Sequence, residues 1–248
     1  MTHPNTRYAF FLSYSSEDSR FVRQLVNQLS AREITPWWDK EIQRTWRSEI
    51  DTQIDVAPLV VVVVTPASMK SAYVTYEWSR AWFRNGVHPY LVYLTETSAG
   101  MFSRLSSEIQ LHPSSAYLKQ GEDAVSEDVL NRVVQDLTEQ VNACRDLVSQ
   151  RDIVVDRHKS VGDRIASTER LAGVPPHLEH IARKILIDGI EQQMEANSGY
   201  GPLQQALVRE LGKYPSPAIF PLLERLKRHT QDKVVQEAID TVIRNMLR

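Results

Sequence analysis

The run Leu59-Val-Val-Val-Val-Val64 constrains this chain more than any other segment. It is far shorter than the ~20 apolar residues that a membrane helix needs. It also lacks the polar alternation of a strand with one wet face. An unbroken β-branched run of this length reads as a central parallel strand buried on both faces. A strand of that kind requires helices above and below the sheet and a crossover connection to each parallel neighbour.

The flanking sequence supplies those parts. Arg7 to Tyr14 is a short apolar and aromatic run, and Ser15-Ser16-Glu17-Asp18 follows with the spacing of a helix-capping box. Phe21, Val22, Leu25, Val26 and Leu29 then form one stripe at helical spacing. Ile34 to Trp38 is a second candidate strand, and Asp39 to Thr45 a polar loop. Trp46, Ile50 and Ile54 mark the next helix. After the valine run, Ser71 to Arg84 places Val74, Trp78, Ala81 and Trp82 on an inner face, with Tyr73 and Glu77 as a neighbouring row. His88 to Leu94 and a short segment near Ala116 to Lys119 complete five strands before a long amphipathic helix, about Ser126 to Val148. This alternation predicts an α/β fold, a flavodoxin-like, doubly wound, five-stranded parallel sheet of order 2-1-3-4-5 over residues 1–150.

Residues 151–248 read differently. Apart from Ile153-Val154-Val155, strand signals stop, and helical stripes alternate with Pro and Gly punctuation at Gly173, Pro175-Pro176, Gly199, Gly201-Pro202 and Pro215 to Pro217. Leu203 to Leu247 reads as helix, proline turn, helix, short turn, helix. The expectation is an all-α helical-hairpin domain that resembles a HEAT-type repeat; an unspecialised helical bundle is the alternative.

Several chemistries are disfavoured. Lys+Arg 29 against Asp+Glu 31 gives a net charge of -2, so general nucleic-acid binding is not expected. All nine glycines lie at or after Gly86, so neither GxGxxG nor a phosphate-binding P-loop can occupy the first strand-to-helix turns. The valine strand ends Val64-Thr65-Pro66, without the Asp that a phosphoacceptor needs. His177 and His180 lack a third ligand nearby in sequence and read as surface histidines, so no metal is expected. The single cysteine, Cys144, excludes an internal disulfide and has no flanking His motif. With no signal peptide at Met1 to Arg7 and no membrane span, the expected setting is the cytoplasm.

Ligands of doubly wound sheets bind outside the carboxyl ends of the strands, where the winding direction reverses. That places the crevice between the loops Ser13 to Asp18 and Thr65 to Ser71, with Glu77 as the carboxylate facing it and Tyr73 as an aromatic plane on the same helix face.

Tyr8-Ala-Phe-Phe-Leu-Ser-Tyr-Ser-Ser-Glu-Asp18, Phe21-Val22, Trp38-Asp39 and Ser71-Ala-Tyr-Val-Thr-Tyr-Glu77 occur in the order characteristic of a TIR (Toll/interleukin-1 receptor-like) domain, which residues 5 to 145 resemble, in particular the bacterial branch. The resemblance implies cleavage of NAD+ at the nicotinamide–ribose bond with Glu77 as the catalytic residue. It implies substrate-binding roles around it for Tyr14, Ser15, Arg44, Trp46, Ser68, Ser71 and Tyr73. NAD+ is then the substrate, and no separate cofactor is expected. Tyr73 stands where catalytic relatives often carry Trp, and the loop called BB in this family has no Gly here, so linear and cyclic ADP-ribose products both stay open. The resemblance also implies self-association through the TIR domain as the activating step, and by analogy a role in bacterial defence against phage. The helical domain is expected to hold the control, by binding a trigger protein, a ligand or another copy of the chain. Two other readings remain: a non-catalytic TIR–TIR adaptor, and a host-directed virulence mimic.

Overall fold

The computed structural model describes residues 8–38, 46–85, 87–94, 127–195 and 201–247. The chain divides into two compact units, Met1–Cys144 with Pro176–Leu178, and Arg145–Pro175 with Glu179–Arg248.

In the first unit, β1 (Phe11–Ser13), β2 (Val60–Val64) and β3 (Tyr90–Tyr93) form a parallel sheet in that order. Phe11 pairs with Val60 and Ser13 with Val62; Val61 pairs with Tyr90 and Val64 with Tyr93. All five residues of β2 are fully buried, the property expected of its β-branched run. Val60, Val62 and Val64 join one core cluster with Ile50 and Ile54 of α2 (Trp46–Val56) and with Val74, Trp78 and Ala81 of α4 (Ala72–Asn85). Val61 and Val63 point to the opposite face and are equally buried. The unit's other buried stripes belong to α1 (Ser19–Ser30) and to the first half of α5 (Glu127–Val155).

Four of the five expected strand positions fall among the described residues, and one of them differs from expectation. Ile34 to Trp38 lies beside β1 as predicted, but it makes only an isolated parallel bridge between Phe11 and Trp37. Trp37 donates its N–H to Phe10 O at 2.7 Å and accepts from Leu12 N at 2.8 Å, while Thr35 O accepts from Ala9 N at 2.8 Å. Trp37 thus stands opposite Phe11, whereas Thr35 O pairs with Ala9 N rather than Phe10 N, one residue out of step, so the ladder is interrupted and no regular strand forms. The Trp37 ring compensates by stacking on Phe11, 5.0 Å between centroids. The expected fifth strand at Ala116 to Lys119 lies outside the described residues, so the sheet has three strands among those described.

Two further differences have local causes. The loop after β2 contains a short helix, α3 (Pro66–Lys70), because Thr65-Pro66-Ala67-Ser68 is itself a capping box: Thr65 Oγ1 accepts from Ser68 N at 3.0 Å, and Ser68 Oγ accepts from Thr65 N at 2.8 Å. Ile153-Val154-Val155 is helical, the last turn of α5, with Val154 fully buried. The sequence boundary at 150/151 therefore falls inside a helix. Nor is His177 a surface residue: it is buried, its ring meets Tyr90 edge-on at 4.8 Å, and its Nε2 lies 2.7 Å from Gln140 Oε1.

The second unit is helical throughout its described part, with α6 (Val161–Arg170), α7 (Glu179–Glu195), α8 (Gly201–Leu211), α9 (Phe220–His229) and α10 (Lys233–Met246) following the end of α5. The last three are the helices read from Leu203 to Leu247. α8 touches α6, α7 and α10 and buries Leu203, Ala206, Leu207, Val208 and Leu211. A shared carboxylate joins two helix starts. Asp232 Oδ1 accepts from Val234 N at 2.8 Å and caps α10, while Oδ2 occupies the space that a Cβ on Gly201 would need at the start of α8.

Gly201→Ala therefore displaces the Asp232 carboxylate and weakens the α10 cap. The expected loss is about 1–3 kcal/mol, combining overpacking with a lost cap. Chemical denaturation followed by helical circular dichroism checks it, and an unchanged midpoint rejects this close approach.

Candidate active site

The buried polar side chains of the first unit gather at one end of the sheet. Apart from His177, those described are Ser13, Ser15, Thr65, Ser68 and Glu77. Ser13 ends β1, Thr65 directly follows β2, and Glu77 lies on α4. This is the carboxyl end of adjacent parallel strands, with the Trp37 bridge beyond β1 on one side and β3 beyond β2 on the other.

Glu77 reaches this position through helix periodicity. Val74, Glu77, Trp78 and Ala81 stand at i, i+3, i+4 and i+7 on α4, a single inner stripe in which each residue is buried. A carboxylate thus takes a place that packing alone would give to an apolar side chain. Burying it requires a polar partner, and Ser13 supplies one: its Oγ–H donates to Glu77 Oε2 at 2.5 Å. Ser13 is 1% and Glu77 8% exposed, so water competes little for either group.

A second polar link closes the strand ends. Thr65 Oγ1 donates to Asp18 Oδ2 at 2.8 Å, tying the turn after β1 to the turn after β2. Burial pushes the Asp18 carboxyl above the usual Asp value, opposed by the hydrogen bonds from Thr65 and the Ser15 backbone. Behind the site, Tyr76 donates to Asp51 Oδ1 at 2.6 Å, and Arg80 bridges Asp51 and Asp55 at 3.1 and 2.8 Å. These bonds fasten α2 to the helix that carries Glu77.

The predicted substrate-binding residues are distributed unevenly. Tyr14 is half-buried, its ring tilted against Trp38 at 6.3 Å. Ser15 is buried and caps the one-turn 3-10 helix Ser16–Asp18, accepting from Glu17 N at 3.4 Å. Ser68 is buried, and its hydroxyl both accepts from Thr65 N and donates to Thr65 O at 3.1 Å, which commits it to the α3 turn. Ser71 stands before α4 and accepts from Val74 N at 3.3 Å. Tyr73 is 54% exposed. The expected Tyr73–Glu77 row therefore splits: four residues advance about 40° beyond a full turn, enough to leave one member at the edge of the buried stripe and the other inside it. Arg44 lies outside the described residues, and of Trp46 only the backbone at the start of α2 falls within them.

Sequence reasoning missed Ser13. Its signal is position alone, the first polar residue after Phe10-Phe11-Leu12 at the carboxyl end of the strand bordering the switch point. Cys144, by contrast, is unsuited to nucleophilic chemistry, since burial pushes its thiol up to about 12.

An open parallel sheet with a carboxylate at its switch point defines a class of α/β domains that handle ligands beyond their strand ends. Residues 10–116 match the family model described as TIR domain, and the N-terminal unit carries that domain. No curated protein and no solved structure matches the chain significantly.

Because the Asp18 carboxyl is raised, its contribution to stability is full below the unfolded Asp value and declines as pH rises through the folded one. Relative to Asp18→Asn, the wild type is therefore expected to gain stability as pH falls from about 7 to about 4. Paired thermal melts across that window check the sign, and a wild type that loses ground on acidification rejects it.

Proposed function

We propose that the TIR domain cleaves NAD+ at the nicotinamide–ribose bond, with Glu77 as the catalytic residue. The observation that carries this reading is the carboxylate in the inner stripe of α4, hydrogen-bonded to Ser13 at the carboxyl end of the sheet.

The chemistry asks for little else. The C1′–N bond breaks with its electron pair passing to the pyridinium nitrogen, so nicotinamide leaves neutral and needs no general acid, unlike an ordinary glycoside. What rises in energy is the ribosyl oxocarbenium ion. A carboxylate fixed near C1′ and accepting from the ribose hydroxyls stabilises that cation. Water adding at C1′ and releasing a proton gives ADP-ribose; attack by an adenine nitrogen gives a cyclic isomer. Tyr14, Ser15, Arg44, Trp46, Ser68, Ser71 and Tyr73 are the proposed substrate-binding set, with Tyr14 and Tyr73 offering rings and Ser15 and Ser71 hydroxyls. Ser68 acts through the α3 turn that it caps.

Self-association of TIR domains is the proposed activating step, and the helical unit, HEAT-like in this reading, holds the control through a trigger protein or ligand. Constant NAD+ loss would be lethal to a host cell, which fits a cytoplasmic enzyme released only on challenge, as in anti-phage defence. The second reading, a non-catalytic adaptor, draws on the exposure of Tyr73 and Phe83, 54% and 77%, as aromatic surface on α4.

Glu77→Gln separates the two. The amide keeps an acceptor for Ser13, so fold and assembly persist, while loss of the charge lowers nicotinamide release by about 10²–10³-fold or more. Chromatographic assay of nicotinamide from concentrated protein, with sizing of both proteins, checks it. Equal NAD+ loss by both rejects catalysis by Glu77; no loss by either in any assembled state favours the adaptor.

A further inference from the structure

Ser13 is an unusual donor for a carboxylate on a neighbouring helix. Its backbone is held in β1, paired in register with Val62 of β2, and its side chain is 1% exposed. The hydroxyl therefore has little freedom to follow a moving partner. Glu77, for its part, is surrounded along its stripe by Val74, Trp78 and Ala81. For packing alone, two apolar side chains would serve at least as well as a buried hydroxyl and carboxylate, since each polar group must be desolvated before they meet. The Ser13–Glu77 pair gives the site something that an apolar pair cannot: an anionic group with one oxygen anchored to a strand of the sheet.

We propose that Ser13 is the positioning residue of the glycosidic cleavage, its sheet-anchored hydroxyl holding the Glu77 carboxylate ionised and aimed at the ribosyl cation. This rests on the reading of Glu77 as catalytic. Two effects follow from one bond. Donation to Oε2 favours the charged form over the protonated one. It also removes rotational freedom of the carboxylate, which matters because electrostatic stabilisation depends on preorganised placement. Ser13 itself does not touch the reacting atoms in this scheme.

The test uses the full-length chain carrying Ser13→Ala and Ser13→Cys, the second keeping volume while exchanging a strong O–H donor for a weak S–H one. Nicotinamide release is measured across pH under assembling conditions, and the Glu77 carboxyl is titrated by ¹³C NMR, with its resonance assigned through Glu77→Gln. Expected for Ser13→Ala is a kcat about 10–100-fold lower with KM little changed. The acid limb of the kcat profile moves to higher pH by about one to two units, because the anion has lost a donor. Ser13→Cys shifts in the same direction by less. A folded Ser13→Ala or Ser13→Cys with wild-type kcat and an unmoved acid limb overturns the proposal. An unchanged Glu77 titration in Ser13→Ala overturns it independently of any activity. Absence of turnover in the wild type in every assembled state overturns instead the reading on which it rests.

Discussion

The first unit is organised by β2. Five consecutive valines with no solvent exposure cannot lie at an edge or on a wet face, so the strand must have a partner on each side and a layer on each face. Burial of each such side chain contributes up to about 1.5–3 kcal/mol, an upper estimate when the unfolded chain is taken as extended. Parallel pairing then has a geometric consequence. Every strand delivers its following turn to the same end of the sheet, so the polar residues after Leu12 and after Val64 meet although 47 residues separate Asp18 from Thr65.

The same core determines what Glu77 costs and how it is accommodated. The α4 stripe packs on Val60, Val62 and Val64, so a carboxylate at its second position is drawn into dry surroundings at the sheet's carboxyl end. A surface Glu one position away in phase would need no partner. Here the short bond from Ser13 offsets part of the desolvation. Natural sequences depart from the best-packing choice mostly where function demands it, and within the α4 stripe Glu77 is that departure.

The legible parts of the sequence were those written in periodicity. The α1 stripe, Ile50 and Ile54 of α2, the α4 face and the valine strand were all readable because repeated apolar spacing reflects burial directly. The misreadings came from single residues. One residue out of step with β1 reduced a candidate strand to a bridge, Thr65 and Ser68 closed a helix inside an expected loop, and Ile153 to Val155 continued a helix whose β-branched end mimicked a strand. At the site, the switch-point rule and the TIR-like motif singled out Glu77, and inner-face spacing could have assigned its burial. Its bond to Ser13 could not be read, because 64 residues and an entire crossover separate the partners and one serine has no period. His177 was misjudged for the same reason: nothing local announces Tyr90 and Gln140 as its neighbours.

Burial alone does not make a carboxylate a candidate for catalysis, as the helical unit illustrates. Glu210 on α8 is 2% exposed, more deeply buried than Glu77, yet its two oxygens meet Lys213 Nζ at 2.5 Å and Arg209 Nε at 3.1 Å. Cations on both oxygens neutralise the charge and turn it to structural use. Glu77 has a hydroxyl among its partners: Ser13 donates to its Oε2 from the end of β1. That bond places the carboxylate at the end of a parallel sheet where the strand turns converge. Location at the strand ends, rather than depth of burial, is what marks Glu77 as the candidate.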